Sequence, residues 1–286
     1  MHSNRQRNNV TIYESEHIMK AGIRIWGEMF RELIEHRGLV WRLMVRDISA
    51  RYKQSALGIL WAFLAPLVML IVFVWIKGKN ILPIGETAMP YAAFVFLGQT
   101  VWLLFSQGLT ISSNSLVAAG SLVTKINFPR EVLVLSSLGQ TIFQLIIRIP
   151  LLVIVFLWVG FIPEWTILLV PFAMIPLLLM IIGMGFFLSL LNAVIRDIGS
   201  ILVIVMGLGM FATPVIYPPP TTWPLSFWIN YINPVSGFVT AARDLTSVGY
   251  LTSPETYASA TLLSILIFLA GWRLFHIVEP KIAERI

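Results

Sequence analysis

The chain has 286 residues, of which 57% are hydrophobic and 12% are charged, and its mean hydropathy is +0.83. Soluble domains carry about a quarter charged residues, and a water-soluble core of this size cannot hold so much apolar side chain. The composition therefore excludes an ordinary soluble protein and indicates an integral membrane protein. The absence of cysteine excludes disulfides and thiolate chemistry.

Basic residues are concentrated near the N-terminus, where ten of the twenty Lys and Arg precede residue 54. This pattern is typical of a cytoplasmic N-terminus on anionic lipid, with a nucleic-acid-binding arm as the alternative. We favour lipid and expect no nucleic-acid partner, because the rest of the chain is apolar. Residues 1–25 are interpreted as a cytoplasmic extension, and we expect no signal peptide.

Residues 26–54 predict an amphipathic helix. Apolar side chains recur there at helical spacing, at Leu39, Val40, Leu43, Met44 and Ile48, and arginines fill much of the remaining surface. We interpret the segment as a helix in the headgroup plane, with Trp41 at the membrane interface. The alternative is a soluble helix that packs on a partner.

Six apolar stretches approach the roughly 20 residues needed to cross the hydrocarbon. They predict spans near residues 55–76, 91–113, 132–160, 166–192, 198–216 and 257–278. An even number of spans places both termini on one side. That side then carries sixteen Lys and Arg against three on the other, which predicts cytoplasmic termini in a multi-pass protein of the cytoplasmic membrane.

The segment 217–254 is rich in aromatic residues, yet its prolines interrupt it too often for a span. Irregular backbone at membrane depth is tolerated only where protein or a cavity shields it. We therefore predict one or two short re-entrant helices dipping from the outer face, between spans 5 and 6. The predicted fold class is an all-α membrane protein with six spans and an interfacial N-terminal helix.

Residues for catalysis are missing from the predicted spans. All fourteen acids and four histidines fall outside the middle of a span, which argues against a proton relay or intramembrane hydrolysis. No phosphate-binding GxxxxGK[ST] loop occurs either. We expect no catalytic residue, no metal and no cofactor in this chain, and we expect its energy to come from a partner.

The stretch RDISARYKQSALGILWAFLAPL at residues 46–67 carries a specific resemblance. It resembles the opening of ABC type-2 permeases that export O-antigen, capsule and teichoic acid, with roughly the pattern RD-x3-RY-x2-S-x-LG-x2-W followed by a proline a few residues later. Lys125–Arg130, Arg196-Asp197-Ile198 and Asn233-Pro234 are similar to the family's first cytoplasmic loop, its second loop and its outer segment. Residues 55–280 are then the six-span ABC type-2 transmembrane domain.

The resemblance implies a homodimer that binds two ABC ATPase subunits, on which ATP and Mg would be held. It also implies that the pair exports a polysaccharide linked to a polyprenyl pyrophosphate. The chain would be a transport subunit and not an enzyme. The alternatives are a teichoic acid permease and an ABC type-2 permease for a drug or small lipid. A membrane glycosyltransferase would need acidic metal-binding pairs, and only the isolated Asp47 and Asp197 offer carboxylates.

The resemblance assigns ATPase coupling to two loops, through Lys125, Asn127, Phe128, Pro129, Arg130, Arg196 and Asp197. Phe128 would be the apolar anchor in a groove of the ATPase, and Lys125 and Arg130 would pair with acids. The alternative is a plain basic loop that only sets the topology.

Three further sets of residues are candidates for contact with the substrate. Arg46, Arg51 and Lys53 could receive the pyrophosphate, or could simply anchor the chain at the interface. Aromatic residues in the first two spans would line a polymer pathway or pack the core: Trp61, Tyr91, Phe94, Trp102 and Phe105. Gln140, Gln144 and Arg148 form a polar stripe that would face either another helix or a water-filled path.

Overall fold

A computed structural model of the chain describes residues 24–53, 58–81, 84–120 and 128–283, and every regular element in those ranges is helical. The predicted extension up to residue 23 and the coupling residues Lys125 and Asn127 lie outside the described residues. The α-helices are α1 Arg24–Glu35, α2 Arg37–Lys53, α3 Leu60–Gly78, α4 Tyr91–Ser113, α5 Ser115–Ala119, α6 Glu131–Trp158, α7 Val170–Ala173, α8 Ile175–Val194, α9 Asp197–Ala212, α10 Leu225–Phe227, α11 Pro234–Ser247 and α12 Pro254–Ala283. A 3-10 turn, Trp165–Leu169, precedes α7, and a π turn, Trp228–Ile232, follows α10.

Five helical segments are long and apolar enough to cross a membrane. They are Leu60–Gly78, Tyr91–Ser113, Glu131–Trp158, Trp165–Val194 and Pro254–Glu279. The span predicted at 198–216 is instead α9, which has 16 residues and a length of about 24 Å. It ends because the backbone becomes extended at Thr213. The prediction of a multi-pass helical protein is confirmed, whereas six full-length spans are not.

The helix predicted over residues 26–54 is divided in two at His36. The second half, α2, lies against α6, and Met44 occupies the space that a Cβ on Gly139 would need. Leu43 is buried, while Trp41 on the same helix is 64% exposed. One side of α2 therefore belongs to the helical bundle and the other side faces outward.

Close backbone contact joins the two helices that pack most extensively, α8 and α12. A Cβ added to Gly183 would lie 2.5 Å from the Cα of Phe268, and one added to Gly271 would overlap the backbone of Gly183. Small residues at such crossings let membrane helices approach closely. The last span is thus fixed to α8, which also packs on the central helix α4.

Long-range contacts define two ends of this bundle. The basic end carries α2, α5, the first turn of α6, the α8–α9 turn and the last turns of α12. Asn192 contacts Asn114 there, and His276 contacts Glu131. The proline-rich end carries residues 213–224, α10 and α11, where Arg243 reaches the first turn of α4. Asn233 begins α11 by accepting a hydrogen bond from Val235 N, with Pro234 at the first helical position.

Candidate functional site

A cavity of about 500 Å³ opens at the basic end, between α2, α4, α5 and α6. Its volume is within the range of small-molecule binding pockets. Its lining residues are Arg46, Asp47, Ala50, Arg51, Thr110, Ile111, Asn114, Ser115, Ala118, Ala119, Leu133, Ser136, Ser137 and Gln140. The cavity therefore has one charged wall, on α2, and one uncharged polar wall, on the helices opposite.

The charged wall presents two arginines just over one helical turn apart. Arg46 Nε lies 2.8 Å from Asp47 Oδ1, and Gln140 Nε2 donates to Asp47 Oδ2 over 3.3 Å. Arg51 is exposed and makes no ion pair with any residue that the structure describes. A guanidinium of this kind can give two parallel hydrogen bonds to a phosphate group.

The uncharged wall offers hydroxyl oxygens as acceptors. Thr110, Ser136 and Ser137 donate their hydroxyl protons to carbonyls of their own helices, at 2.8, 2.9 and 2.6 Å. Each of these oxygens keeps at least one acceptor lone pair, although Ser137 Oγ also lies 2.8 Å from Ser112 Oγ. Ser115 Oγ is buried and has no hydrogen-bond partner among the described residues. The two walls together suit a ligand that is anionic on one side and rich in hydroxyl groups on the other.

A buried amide links the cavity wall to the α8–α9 turn. Asn192 Nδ2 donates to Asn114 Oδ1 over 2.9 Å and to Ser113 O over 3.1 Å, while its Oδ1 accepts from Gly199 N over 2.9 Å. Asn192 thus joins the end of α4 to the first turn of α9, which has no side-chain cap of its own. The sequence alone did not single out Asn192, because an asparagine near the end of a span can have many structural roles.

The predicted charged residues are only partly brought together. Arg46 and Arg51 line the cavity, but Lys53 is exposed at the end of α2 and is not part of its wall. Arg196 and Asp197 are exposed in the α8–α9 turn at the same end of the bundle. Their proposed contact with an ATPase requires that exposure.

Phe128 is largely enclosed by its own subunit. Its side chain is 9% exposed and belongs to a hydrophobic cluster with Met29, Leu43, Leu116 and Phe275. In the single subunit, the Phe128 ring packs against the bundle at the start of α6. Its role as the apolar anchor for an ATPase stays a prediction.

The predicted pathway aromatics lie mostly inside the subunit. Phe94, Trp102 and Phe105 are between 4% and 6% exposed. Tyr91 is half-buried, and its hydroxyl donates to Ile216 O over 3.0 Å. Trp61 is 55% exposed. This placement favours packing for the first four residues in a single subunit and leaves Trp61 on an outer surface.

The polar stripe on α6 faces other helices. Gln140 lines the cavity, whereas Gln144 and Arg148 lie next to Thr100 and Gln107 of α4. Gln144 Nε2 and Arg148 Nη1 are buried, and neither has a hydrogen-bond partner among the described residues. The stripe thus continues inward from the cavity along the interface between α4 and α6.

At the proline-rich end, Arg243 forms a contact that the sequence did not reveal. Its guanidinium donates to Phe94 O at 3.1 Å, to Pro214 O at 2.5 Å and to Val215 O at 2.6 Å. It also lies over the Phe94 ring, 3.4 Å from the centroid. Gly98 leaves room for this contact, since a Cβ there would lie 2.8 Å from Val215 O. Arg243 ties the chain after α9 to the start of α4.

Five helices that are long and apolar enough to cross a membrane define a multi-pass membrane protein, with a polar cavity at one end of its bundle. Comparison of sequences gives the family. A sequence model of the ABC-2 type transporter matches residues 38–246, and the chain belongs to that family.

Curated relatives have similar lengths. The chain is 28% identical over 264 residues to the O-antigen export system permease protein RfbA of Myxococcus xanthus, covering 90% of this chain and 99% of the relative. It is 26% identical over 244 residues to an RfbA protein of Klebsiella pneumoniae, covering 84% of this chain and 91% of that protein.

Proposed function

We propose that this chain is the membrane subunit of an ABC exporter that moves O-antigen outward across the cytoplasmic membrane. The match to the ABC-2 family supports the transport class. The relatives that are named as O-antigen export permeases, each aligned over most of its length, support the substrate. Those names favour O-antigen over teichoic acid, a drug or a small lipid.

The proposed topology has six crossings and cytoplasmic termini. The sixth crossing is α9 together with the extended residues that follow it, which Arg243 holds at the proline-rich end. The distribution of Lys and Arg supports a cytoplasmic position for the basic end. In this orientation α2 lies in the inner headgroup layer, and α10 and α11 re-enter the membrane from outside.

The chain acts as a homodimer with two ABC ATPase subunits, which hold the ATP and Mg. The two loops at the basic end receive the movement of the ATPase. Arg196 and Asp197 contribute exposed charges, and the 121–130 segment ends in a buried attachment at Phe128. A rigid attachment is what transmission of a movement to a span requires.

The cavity at the basic end receives the head of a polyprenyl-pyrophosphate-linked polymer. The observation that carries this assignment is the position of Arg46 and Arg51 on one wall of a polar cavity of about 500 Å³. The arginines bind the diphosphate, and the hydroxyl wall takes the first sugar. The lipid tail remains in the bilayer beside the subunit.

The test compares Arg51→Lys and Arg51→Gln with the matched control Lys53→Gln, which removes a charge outside the cavity. We expect Arg51→Lys to reduce export although the charge is kept, because an ammonium group cannot reproduce the planar fork of arginine. Arg51→Gln should reduce export further, and Lys53→Gln should leave it unchanged. The measurement is surface polymer in cells with equal amounts of inserted protein.

Normal surface polymer with both Arg51 variants would contradict the role of this cavity in binding the diphosphate. Equal losses with Lys53→Gln would show that the total basic charge matters and that the cavity does not.

A further inference from the structure

Four charged or titratable side chains meet at the basic end, where the start of α6 lies next to the last turns of α12. Arg130 immediately precedes α6, and Glu131 is its first residue. His276 and Glu279 lie one turn apart on α12. We call Arg130, Glu131, His276 and Glu279 the charged cluster. No step of the proposed function has used it.

Direct contacts connect the two chain segments in this cluster. Arg130 N donates to Glu279 Oε1 over 2.8 Å, and Arg130 Nη1 donates to the Glu279 carbonyl over 3.2 Å. His276 Nδ1 lies 2.9 Å from Glu131 Oε1. A carboxyl oxygen of Glu131 and one of Glu279 lie within 4.8 Å of each other. Each segment therefore contributes two residues to one connected network.

Burial demands that this network be neutral, because an uncompensated charge away from water is costly. Glu131 is 2% exposed and His276 is 8% exposed. The Arg130 and Glu279 side chains are 16% and 14% exposed. One proton distributed among Glu131, His276 and Glu279, together with the arginine, gives a net charge of zero. The cluster is thus neutral, and one of its acceptors, the buried Glu131 Oε2, has no hydrogen-bond donor among the described residues.

The same three proton-sharing side chains are also a possible set of metal ligands, since their donor atoms lie within 4.8 Å of one another. A divalent cation would displace the shared proton and leave a net positive charge beside Arg130. Neutrality therefore favours the proton, and a bound metal is the competing outcome of the test below.

The position of the cluster gives it a mechanical consequence. Arg130 closes the segment that we assigned to ATPase contact, two residues after the buried Phe128. His276 and Glu279 belong to α12, which packs closely along α8 through Gly183 and Gly271. Without the cluster, residue 130 would be connected to the bundle only through the chain that continues into α6. The cluster adds a second, polar connection from Arg130 to α12.

We propose that Glu131, His276 and Glu279 are positioning residues that fasten the end of the 121–130 segment to α12. A movement imposed on this segment then reaches the third and the last long helices of the bundle together. This inference rests on the proposed function, because it assigns a path for the force that the ATPase partner supplies.

The test uses the complete transporter and compares Glu279→Ala with Glu279→Gln. Alanine leaves Arg130 N without its acceptor, whereas glutamine keeps an oxygen there and the cluster stays neutral by releasing its shared proton. In Glu279→Ala we expect ATPase binding and hydrolysis to persist, while polymer exported per ATP falls by about fivefold or more. In Glu279→Gln that ratio should remain near that of the wild type.

Glu255→Ala is the matched control, because Glu255 is an exposed acid at the other end of the same helix. It should change nothing. If the Glu279→Ala protein does not accumulate in cells, the same comparison can be made at position 276. His276→Ala removes the hydrogen bond to Glu131, whereas the amide of His276→Gln can still donate to Glu131.

Three results would overturn the positioning role. The first is an unchanged export-to-hydrolysis ratio in the alanine variants. The second is a loss of folded protein with that ratio preserved, which would make the cluster merely structural. The third is one divalent metal per wild-type chain combined with glutamine variants as defective as alanine. Failure of the wild-type chain and its ATPase to export polymer would instead remove the proposed function itself.

Discussion

Arg243 and Arg130 lie at opposite ends of the bundle and are held in different ways. Arg243 is 4% exposed, and its guanidinium donates to the carbonyl oxygens of Phe94, Pro214 and Val215. The neighbouring Asp244 accepts from Thr252 instead, through the backbone N at 2.7 Å and Oγ1 at 2.6 Å. Arg130 contacts a carboxylate and remains partly exposed.

The difference separates a fixed end from an end that can exchange partners. Arg243 donates to the carbonyls of Pro214 and Val215, which lie outside any helix, so a movement there separates a buried guanidinium from these acceptors. At the basic end, Arg46 and Arg51 are exposed and border an open cavity, and Arg196 and Asp197 are exposed as well. Ligand and partner contacts are therefore expected at the basic end, with the proline-rich end as the support.

Removing the guanidinium at the fixed end should have the largest effect. Arg243→Leu removes the guanidinium donor from the Pro214 and Val215 carbonyls and leaves the Phe94 carbonyl with its helical partner alone, and we expect a loss of about 3 kcal/mol or more in stability. The measurement is the yield of monodisperse protein and its melting temperature in detergent. Arg196→Leu, at an exposed position of the basic end, should melt like the wild type. Equal melting of both variants would show that the carbonyl contacts of Arg243 add nothing to stability.

Phe128→Ala tests whether a buried side chain at the basic end contributes as much to stability as Arg243 does at the proline-rich end. Deleting a buried phenylalanine side chain typically costs about 3 kcal/mol or more, so the chain alone should lose stability. Phe30→Ala removes a ring that is 60% exposed and should cost far less. If Phe128→Ala keeps full stability but loses ATPase binding, the result would support Phe128 as the apolar anchor in a groove of the ATPase.

Long apolar runs made the membrane class and the five longest helices predictable, since those runs carry their own signal. The run at 198–216 was misleading because hydropathy counts Pro214 and Val215 as part of the span. The helix has already ended at Thr213, where the backbone turns toward Arg243. Composition along the chain does not reveal which backbone a distant arginine will hold.

The site was predictable only where the residues are close together in sequence. Arg46 and Arg51 share one helix, and both line the cavity. His276 and Glu131 are 145 residues apart, and nothing in either local sequence indicates their contact. Phe128 was interpreted as an ATPase anchor because its loop resembles that of the family, although an aromatic residue beside a span also suits the core.

The smallest effect is expected for the exposed charges of the α8–α9 turn. Arg196→Gln and Asp197→Asn alter side chains that make no ion pair with any described residue, so melting should not change. If these charges lie at the rim of an ATPase interface, they steer association and contribute little to its final strength. We expect association with the ATPase to slow by about twofold to fivefold at low salt, and the difference to disappear as salt increases.

The association rate, measured at several salt concentrations with the protein in nanodiscs, checks this prediction. Lys79→Gln changes an exposed charge at the proline-rich end and should have no effect at any salt concentration. The same response from Lys79→Gln would mean that only net charge is sensed, and the distinction between the two ends would then not extend to partner binding.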